Sequence, residues 1–467
     1  MALIRNFPVP SDRMAIISTL LNIEDAVVLE YGPEGTTHFS MNFFNKLGQD
    51  YPDRLFTTGV DDSDIIMGST EHLERGILEL DALYSPKAIF VLTSSVTSII
   101  GTDIAGICDS LQSKVQSRLI PVNTSGLGAD YSAGLRKIYL QLAELFVQPD
   151  AAKQKGRYNI LGASPLHYRA ESDICEITRL LREGFGCELL HCLAMNMTTE
   201  ALAELSSADL NIVLTAEAVP SAEYLQSVTG TPYVYLPPYG YSQTKEFLNS
   251  VAAVIGQPVK EAMLQRLEEK KRRLKMLLKS PLLSRTPGTV FLKGDYDTVK
   301  GLGAFFKELK FNVAHSVCTH KITGTAAEGI EYFKEEKEYL QLLKDIRHCL
   351  VMADEDTVAQ ADMTNFNVTS NGVDVYSGAT PLALIKNEGL DSVNVKDMLI
   401  GNTAGTIGET SVIAIMIGAI ILIMLGVIDL KIPASYIITF AVFMFLFGAD
   451  RFNMNYVVAE LCGGGLM

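Results

Sequence analysis

The chain has 467 residues and carries 54 acidic against 39 basic side chains, which gives a formal charge of −15. A length of this size predicts about three domains of roughly 150 residues each. The acidic balance argues against nonspecific nucleic-acid binding, because such binding needs a basic surface that releases counterions from phosphate. The seven cysteines include no CxxC pair. That pattern is typical of free thiols in a reducing cytosol and offers no local spacing for an iron–sulfur centre.

Short apolar runs alternate with helical patterns through residues 25–352. This order predicts an α/β fold in which parallel sheets are covered by helices. Ligands of such sheets bind beyond the C-terminal ends of the strands, so the loops at those ends are the candidate sites. The predicted strands are 25–30, 88–92, 119–122, 159–161, 188–190, 211–214, 233–236, 290–292 and 349–352, and the predicted helices between them include 133–146, 171–183 and 199–205.

Two of these loops are candidates for binding. Gly32, Pro33 and Gly35 form a tight turn after the first predicted strand. After the next strand, the hydroxyl-rich residues 93–103 lead into a helix N-terminus, which either caps itself or holds an anion. His38, close to the first turn, is either an acid–base group or an ordinary hydrogen-bonded histidine.

A basic segment at 261–279 has apolar residues at helical spacing. We interpret it as a packed, solvated helix, and the alternative is a phosphate- or lipid-binding surface. Its basic residues are Arg266, Lys270, Lys271, Arg272, Arg273, Lys275 and Lys279.

Several short motifs occur in the order typical of one family. They lie at residues 32–35, 64–68, 99–103, 123–126, 159–162, 208–213, 230–233, 238–240 and 290–295. On these motifs the chain resembles component 1 of nitrogenase and its relatives in cofactor assembly and tetrapyrrole reduction, over about residues 30–354. The resemblance implies repeated doubly wound parallel-sheet subdomains, the last one incomplete. It also implies multi-electron reduction at metal clusters, fed by an ATP-driven iron–sulfur reductase.

The chain departs from this family at the cluster ligands. Thr36, Ser95 and Thr215 stand where the resemblance places cysteines. Neutral hydroxyls do not replace thiolates as ligands of iron–sulfur clusters. We therefore expect no metal ligands at these positions, no iron–sulfur cluster and no nitrogen fixation.

Two uncharged apolar stretches follow, at 411–428 and 432–449. Each is near the length that spans a hydrocarbon core as a helix. Only Asp429, Leu430 and Lys431 separate them, so the pattern predicts an antiparallel transmembrane hairpin. The alternative is a buried helical hairpin of a soluble domain.

A second resemblance rests on the run from Asp374 to Pro381 and on residues 401–411 just before the first apolar stretch. Residues 372–467 resemble the D subunit of Rnf-type and the B subunit of Nqr-type ion-translocating electron-transport complexes. The resemblance implies that a flavin transferase attaches FMN covalently to Thr380. Asp374, Ser377, Gly378 and Ala379 would form the recognition frame. The alternative is an ordinary turn.

The predicted domains are α/β subdomains at 1–152, 153–285 and 286–362, the last partial, then an FMN-attachment segment at 363–410 and the membrane hairpin with a truncated third apolar segment at 411–467. The leading hypothesis is an electron-transfer protein of the oxidoreductase class at the cell membrane, with the α/β region in the cytoplasm. The expected partners are other electron-transport complex subunits, a nitrogenase-like paralogue and membrane lipid. The alternatives are a cluster-less scaffold or partner subunit for cofactor assembly or tetrapyrrole-type reduction, and a chimeric gene product without function.

Overall fold

The computed structural model of this chain describes residues 10–46, 54–124, 126–149, 151–167, 170–278, 288–321, 327–333, 338–339, 341–342, 349–353, 431–447, 453 and 456–457. The chain divides into two units, Met1–Asn365 and Phe366–Met467. The described part of the first unit holds three sheets of four strands each, and every strand pair in them is parallel.

The first sheet has the strand order β2-β1-β3-β4. Its strands are β1 (Ala26–Tyr31), β2 (Leu55–Thr57), β3 (Ala88–Thr93) and β4 (Arg118–Val122). Its helices are α1 (Asp12–Leu20), α2 (Glu34–Lys46), α3 (Asp62–Met67), α4 (Glu71–Tyr84), α5 (Ser95–Ile99), α6 (Ile104–Leu111) and α7 (Tyr131–Phe146).

Helices cover both faces of this sheet because successive side chains of a strand point to opposite faces. In β3, Phe90 and Leu92 join the apolar core that contains residues of α1 and α7. Ile89 and Val91 join a second core that contains residues of α4 and α6. A strand buried on both faces is apolar throughout, and this explains why β3 reads as a continuous apolar run.

The second sheet has the order β6-β5-β7-β8. Its strands are β5 (Gln154–Leu161), β6 (Glu188–Cys192), β7 (Ala208–Val213) and β8 (Tyr233–Tyr235), and its helices are α8 (Ala170–Phe185), α9 (Thr199–Ala203), α10 (Val219–Thr229), α11 (Gly240–Ile255) and α12 (Glu261–Leu278). Two buried amides meet across its centre, where Asn159 Nδ2 donates to Asn211 Oδ1 at 2.9 Å. Asn159 Nδ2 also donates to the Leu205 carbonyl oxygen at 2.7 Å, so both N–H groups of this buried amide have acceptors.

The third sheet has the order β11-β10-β9-β12. Its elements are β9 (Thr289–Gly294), α13 (Tyr296–Glu308), β10 (Asn312–Cys318), β11 (Ile330–Tyr332) and β12 (Leu350–Met352). In each sheet the two central strands are parallel, so the segments that follow them lie at the same edge. Ligands of such sheets bind at that edge.

All nine predicted strands are confirmed, with ends that differ by up to five residues. The predicted helices at 133–146, 171–183 and 261–279 are confirmed as α7, α8 and α12, and 199–205 is α9 followed by a short 3-10 turn. Three further strands, β2, β10 and β11, were not predicted. In β2 and β11 only three residues pair, and β10 carries a bulge between Val313 and His315 that breaks its alternation.

In the second unit the structure describes one long helix, α14 (Lys431–Phe447), which covers most of the predicted apolar stretch 432–449. Among the helices within the described ranges, none has both the length and the apolar character needed to cross a membrane. The other predicted stretch, 411–428, lies outside the described residues. The transmembrane hairpin therefore stays a prediction.

Candidate functional site

The loop after β1 carries Thr36, the first of the positions where a thiolate was expected. Its hydroxyl lies 2.8 Å from the Pro33 carbonyl oxygen and 3.1 Å from Glu30 Oε1. Glu30 is fully buried and also accepts from the Thr37 hydroxyl at 2.8 Å and from Arg13 Nη1 at 2.5 Å. The hydroxyl of Thr36 is therefore part of an internal polar network that surrounds a buried ion pair.

The loop after β3 closes on itself. Ser94 Oγ accepts from the Thr97 N–H at 3.2 Å, and Thr97 Oγ1 accepts from the Ser94 N–H at 2.9 Å. The Thr97 hydroxyl also lies 2.6 Å from the Tyr31 carbonyl oxygen, to which it donates. Of the two alternatives for this helix N-terminus, the structure shows self-capping, because the capping box satisfies the Ser94 and Thr97 N–H groups.

Thr36 and Ser95 come close to the same side chain, Arg13. A Cβ atom placed on Gly126 would lie 3.3 Å from Ser95 Oγ and 3.3 Å from Arg13 Cβ. Arg13 Nη2 lies 3.4 Å from the Thr36 carbonyl oxygen and 3.1 Å from Ser40 Oγ. The Thr36 backbone therefore contacts the buried Arg13 guanidinium, and Gly126 lies beside both Ser95 and the Arg13 side chain.

Thr215, the third position, follows β7. Its hydroxyl donates to the Gly162 carbonyl oxygen at 3.2 Å. Gly162 has φ +89°, and a Cβ there would lie 2.7 Å from Thr215 Oγ1, so this close approach of two loops requires glycine. Thr215 lines a cavity, and neither Thr36 nor Ser95 is among the residues that line it.

That cavity has a volume of about 460 Å³ and lies where loops of the second and third sheets meet. It is here called the large cavity. Thr215 follows β7, Pro237 and Pro238 follow β8, and Asp297 follows β9, so strand ends from both sheets build its wall. Its walls carry five carboxyl groups, Asp173, Glu176, Glu217, Asp295 and Asp297, together with His167.

Asp297 is the central polar group of this wall. It is almost fully buried and accepts from the Tyr235 hydroxyl at 2.6 Å and from the Ala216 N–H at 2.7 Å. Burial raises the pKa of Asp297 to about 6, against the opposing effect of these hydrogen bonds. Burial also raises the pKa of Tyr235, so its hydroxyl keeps its proton and donates.

Further bonds connect α7 of the first sheet to the other two. Ser132 Oγ donates to Glu217 Oε1 at 2.6 Å, and Glu217 lies 3.7 Å from His320 Nε2. The Tyr131 hydroxyl donates to Asp295. Polar contacts between buried loops of three sheets therefore fix the walls of the large cavity.

Among the described residues, no group of three His, Cys, Asp or Glu side chains has an arrangement that could hold a metal ion. The predicted flavin residues Asp374, Ser377, Gly378, Ala379 and Thr380 lie outside the described residues. The prediction of FMN at Thr380 is therefore untested by the structure.

The family model described as nitrogenase component 1 type oxidoreductase matches residues 14–365 of the 467. The chain belongs to the nitrogenase component 1 type oxidoreductase family. A second family model, described as the NQR2, RnfD, RnfE family, matches residues 356–467. Together the two matches confirm the predicted order, a nitrogenase component 1 type region followed by an NQR2, RnfD, RnfE type region.

Curated relatives of this nitrogenase component 1 type chain are distant. Nitrogenase iron-molybdenum cofactor biosynthesis protein NifE of Nostoc sp. is 27% identical over 356 residues, which cover 73% of this chain and 72% of that protein. NifE of Clostridium pasteurianum is 27% identical over 255 residues, 54% of this chain and 55% of the relative, so the chain spans about half of that protein. The B subunit of light-independent protochlorophyllide reductase from Rhodopseudomonas palustris is 31% identical over 201 residues, 40% of this chain and 37% of the relative.

A solved structure described as nitrogenase Cp1 at pH 6.5 resembles the chain with a TM-score of 0.58 and 18% sequence identity. The similarity covers 83% of this chain and 81% of that one. At this identity the comparison shows the nitrogenase component 1 type fold alone, in agreement with the predicted parallel sheets.

Five residues of these networks were not predicted as site residues, namely Arg13, Glu30, Glu217, Tyr235 and Asp297. A usable signal existed for Asp297, since it lies three residues after the end of β9, in the first turn of α13, at the strand end where ligands were expected. No such signal existed for Arg13, because it lies in α1, which precedes the first predicted strand.

The buried ion pair makes a prediction for stability. Arg13→Met leaves the Glu30 carboxylate buried without its cation, so the free energy of unfolding should fall by about 3–5 kcal/mol. Urea unfolding followed by far-UV circular dichroism measures the change. The control is Arg75→Met, because Arg75 pairs with Glu79 at 3.8 Å on the surface, where a change within about 0.5 kcal/mol is expected. An Arg13→Met/Glu30→Met variant should recover part of the loss, and an unchanged midpoint in Arg13→Met would contradict the assignment.

The raised pKa of Asp297 makes a prediction for pH dependence. Its pKa rises from an ordinary 3.8 to about 6, so between these values the folded chain holds a proton that the unfolded chain has released. The free energy of unfolding should therefore fall as pH rises through this window, by up to about 3 kcal/mol from this group, and change no further from it above the window. Asp297→Asn should remove that component, whereas Asn at the exposed Asp109 should keep it. Parallel pH profiles for wild type and Asp297→Asn would contradict the prediction.

Proposed function

We propose that the α/β part of the chain is a cluster-less scaffold of the nitrogenase component 1 type, which holds an organic cofactor or precursor in the large cavity. The observation that carries this proposal is the state of Thr36 and Thr215. Both stand at expected thiolate positions, and both hydroxyls are bonded to acceptors within the chain. Residues of this kind do not fit an iron–sulfur cluster, which requires thiolate or imidazole ligands.

The shape and charge of the large cavity support an organic ligand. Its volume of about 460 Å³ lies within the range of roughly 300–1,000 Å³ found for small-molecule sites. The carboxyl groups on its walls favour a molecule that offers hydrogen-bond donors or positive charge. They oppose a negatively charged cluster, since like charges repel strongly where water is scarce.

The names of two relatives are compatible with this proposal. One is a cofactor biosynthesis protein, and the other is a subunit of a reductase that acts on protochlorophyllide. A binding scaffold for cofactor assembly or for tetrapyrrole-type reduction needs the fold and the cavity, but it does not need its own cluster.

The test is iron and acid-labile sulfide analysis of the full chain purified without oxygen, combined with native mass spectrometry. We expect substoichiometric iron and sulfide, and a bound organic molecule. Ala163→Leu should eliminate that molecule, because Ala163 is buried and lines the large cavity. The matched control is Ala133→Leu, at an exposed position of α7, which should retain it. Stoichiometric iron and sulfide would overturn the proposal.

A second function is favoured by the match to the NQR2, RnfD, RnfE family, which includes the whole run from Asp374 to Thr380. We infer that FMN is attached covalently to Thr380 and that this segment carries electrons within a membrane-bound complex. Such a complex would supply the expected partner subunits and membrane lipid and would place the α/β part at the cytoplasmic side. The helical conformation of Lys431–Phe447 is compatible with the predicted hairpin.

Covalent flavin gives a direct prediction. After co-expression with a flavin transferase, the wild-type chain should show a fluorescent flavin band after denaturing electrophoresis, because a phosphoester bond survives unfolding. Thr380→Val should lose the band, since it lacks the hydroxyl that accepts the FMN phosphate. Thr369→Val, a hydroxyl outside the run, is the matched control and should keep it. A band that persists in Thr380→Val would place the flavin elsewhere, and its absence from the wild type would contradict covalent attachment.

A further inference from the structure

A second, smaller cavity lies next to the large one and shares Glu217 and Tyr296 with its lining. Its volume is about 230 Å³, far more than the roughly 10–15 Å³ that a single water needs. It is here called the small cavity. Segments that belong to all three sheets and their covering helices line it. They are α7, the loop after β7, the end of β8, the start of α13 and the segment after β10. Its lining residues are Ser132, Arg136, Ala216, Glu217, Val219, Tyr235, Tyr296, Lys300 and His320.

The cations of the small cavity have no anionic acceptor within the described part of the chain. Arg136 is half-buried, yet its guanidinium forms neither a hydrogen bond nor an ion pair there. The Lys300 ammonium lies 5.5 Å from the centre of the Tyr235 ring and 5.8 Å from that of Tyr296, and it likewise forms no hydrogen bond or ion pair with the described residues. Both donors are therefore available to a ligand.

The carboxyl groups near these cations are bonded to other donors. Glu217 accepts from Ser132 Oγ at 2.6 Å. Asp297, whose pKa is raised by burial against a smaller opposing effect of the Lys300 charge, accepts from Tyr235 and from the Ala216 N–H. The acids are thus satisfied by neutral groups, whereas the cations at the same cavity are not.

His320 is held by backbone groups. Its Nε2 atom lies 3.2 Å from the Tyr296 backbone nitrogen and is placed to accept from its N–H. Its Nδ1 atom lies 3.3 Å from the Lys321 carbonyl oxygen and is placed to donate to it. The positive charge available to a ligand comes from Arg136 and Lys300, which belong to α7 and α13.

We propose that the small cavity binds a small anion, a carboxylate or a phosphate, between Arg136 and Lys300. A guanidinium presents two parallel N–H groups that match the two oxygens of such an anion. The rings of Tyr235 and Tyr296 provide flat walls for the rest of the molecule. Because Arg136 lies in an element of the first sheet and Lys300 in one of the third, a bound anion would also connect these two parts of the fold.

The experiment is isothermal titration calorimetry of the full purified chain with inorganic phosphate and, separately, with succinate, at constant ionic strength set by sodium chloride. We expect saturable binding of at least one probe. Binding of phosphate alone supports the site and identifies phosphate as the anionic group, and binding of succinate alone supports it and identifies a carboxylate. No saturable binding of either probe overturns the proposal.

Three variants locate the binding. Arg136→Gln should weaken the binding at least about tenfold, as measured by the dissociation constant, because a charge-assisted hydrogen bond is lost. Lys300→Gln should weaken it as well. Lys307→Gln, an exposed lysine also in α13, is the matched control and should bind like the wild type. Unchanged affinity in Arg136→Gln overturns the proposal.

A folding defect is separated from a binding defect by far-UV circular dichroism. If Arg136→Gln does not fold, Arg136→Lys serves instead, since it keeps the charge but loses the paired donors. It should bind more weakly than the wild type, and equal affinity would overturn the assignment of Arg136.

Discussion

The buried pair of Arg13 and Glu30 determines what the first loop of this protein can bind. Charges removed from water are stable only when each is paired and its remaining polar atoms are hydrogen-bonded. Thr36, Thr37 and Ser40 supply those bonds. The Thr36 hydroxyl lies 3.1 Å from Glu30 Oε1, so a thiolate at this position would add a negative charge close to the Glu30 carboxylate. Two negative charges this close disfavour the ionised form of each group. The hydroxyl at this position and the ion pair beneath it are therefore mutually consistent, and together they disfavour a thiolate-bound cluster.

The large cavity follows from a different constraint, the direction of the strands. Parallel strands place their following loops at one edge of a sheet, so polar residues far apart in sequence meet there. The contact between Asp297 and the Ala216 N–H connects the third sheet to the second, and the contact between Tyr131 and Asp295 connects the third to the first. Because these groups are buried, their bonds are strong only while each carboxyl has its donor. The shape of the cavity thus depends on these buried hydrogen bonds.

The sequence predicted most of the described strands but not the side-chain networks of the site. A strand buried on both faces is a continuous apolar run, and for this reason β3 was predictable from its residues alone. The residues Asn312–Cys318 of β10 include His315 and Ser316, and the bulge there removes the alternation on which such predictions rely. Pairing in β2 depends on contacts with β1 that lie more than twenty residues away, for example Val28 with Leu55.

The positions expected to carry thiolates were assigned from a family pattern that gives each one an expected residue, and this assignment stays a prediction. The groups that took over those surroundings were not predictable. Arg13 meets Glu30 through the packing of α1 against the first sheet, and nothing in the local sequence of either residue indicates the other. Tyr235, in β8 of the second sheet, and Asp297, in the helix that follows β9 of the third, are similarly brought together. Long-range pairs of this kind depend on tertiary structure, which a periodicity argument does not contain.

The functions proposed for the two units require different chemical groups. Holding a molecule requires a cavity, and the first unit has one whose walls carry carboxyl groups. Carrying electrons requires a group that changes oxidation state, and for an organic group this is the role of a cofactor rather than of the protein side chains. Under the two proposed functions, the α/β unit binds and the C-terminal segment carries the flavin, so the loss of thiolates in the first does not remove electron transfer from the chain. The two functions are chemically independent, because a metal-free α/β unit and a flavin-bearing Thr380 rest on different residues.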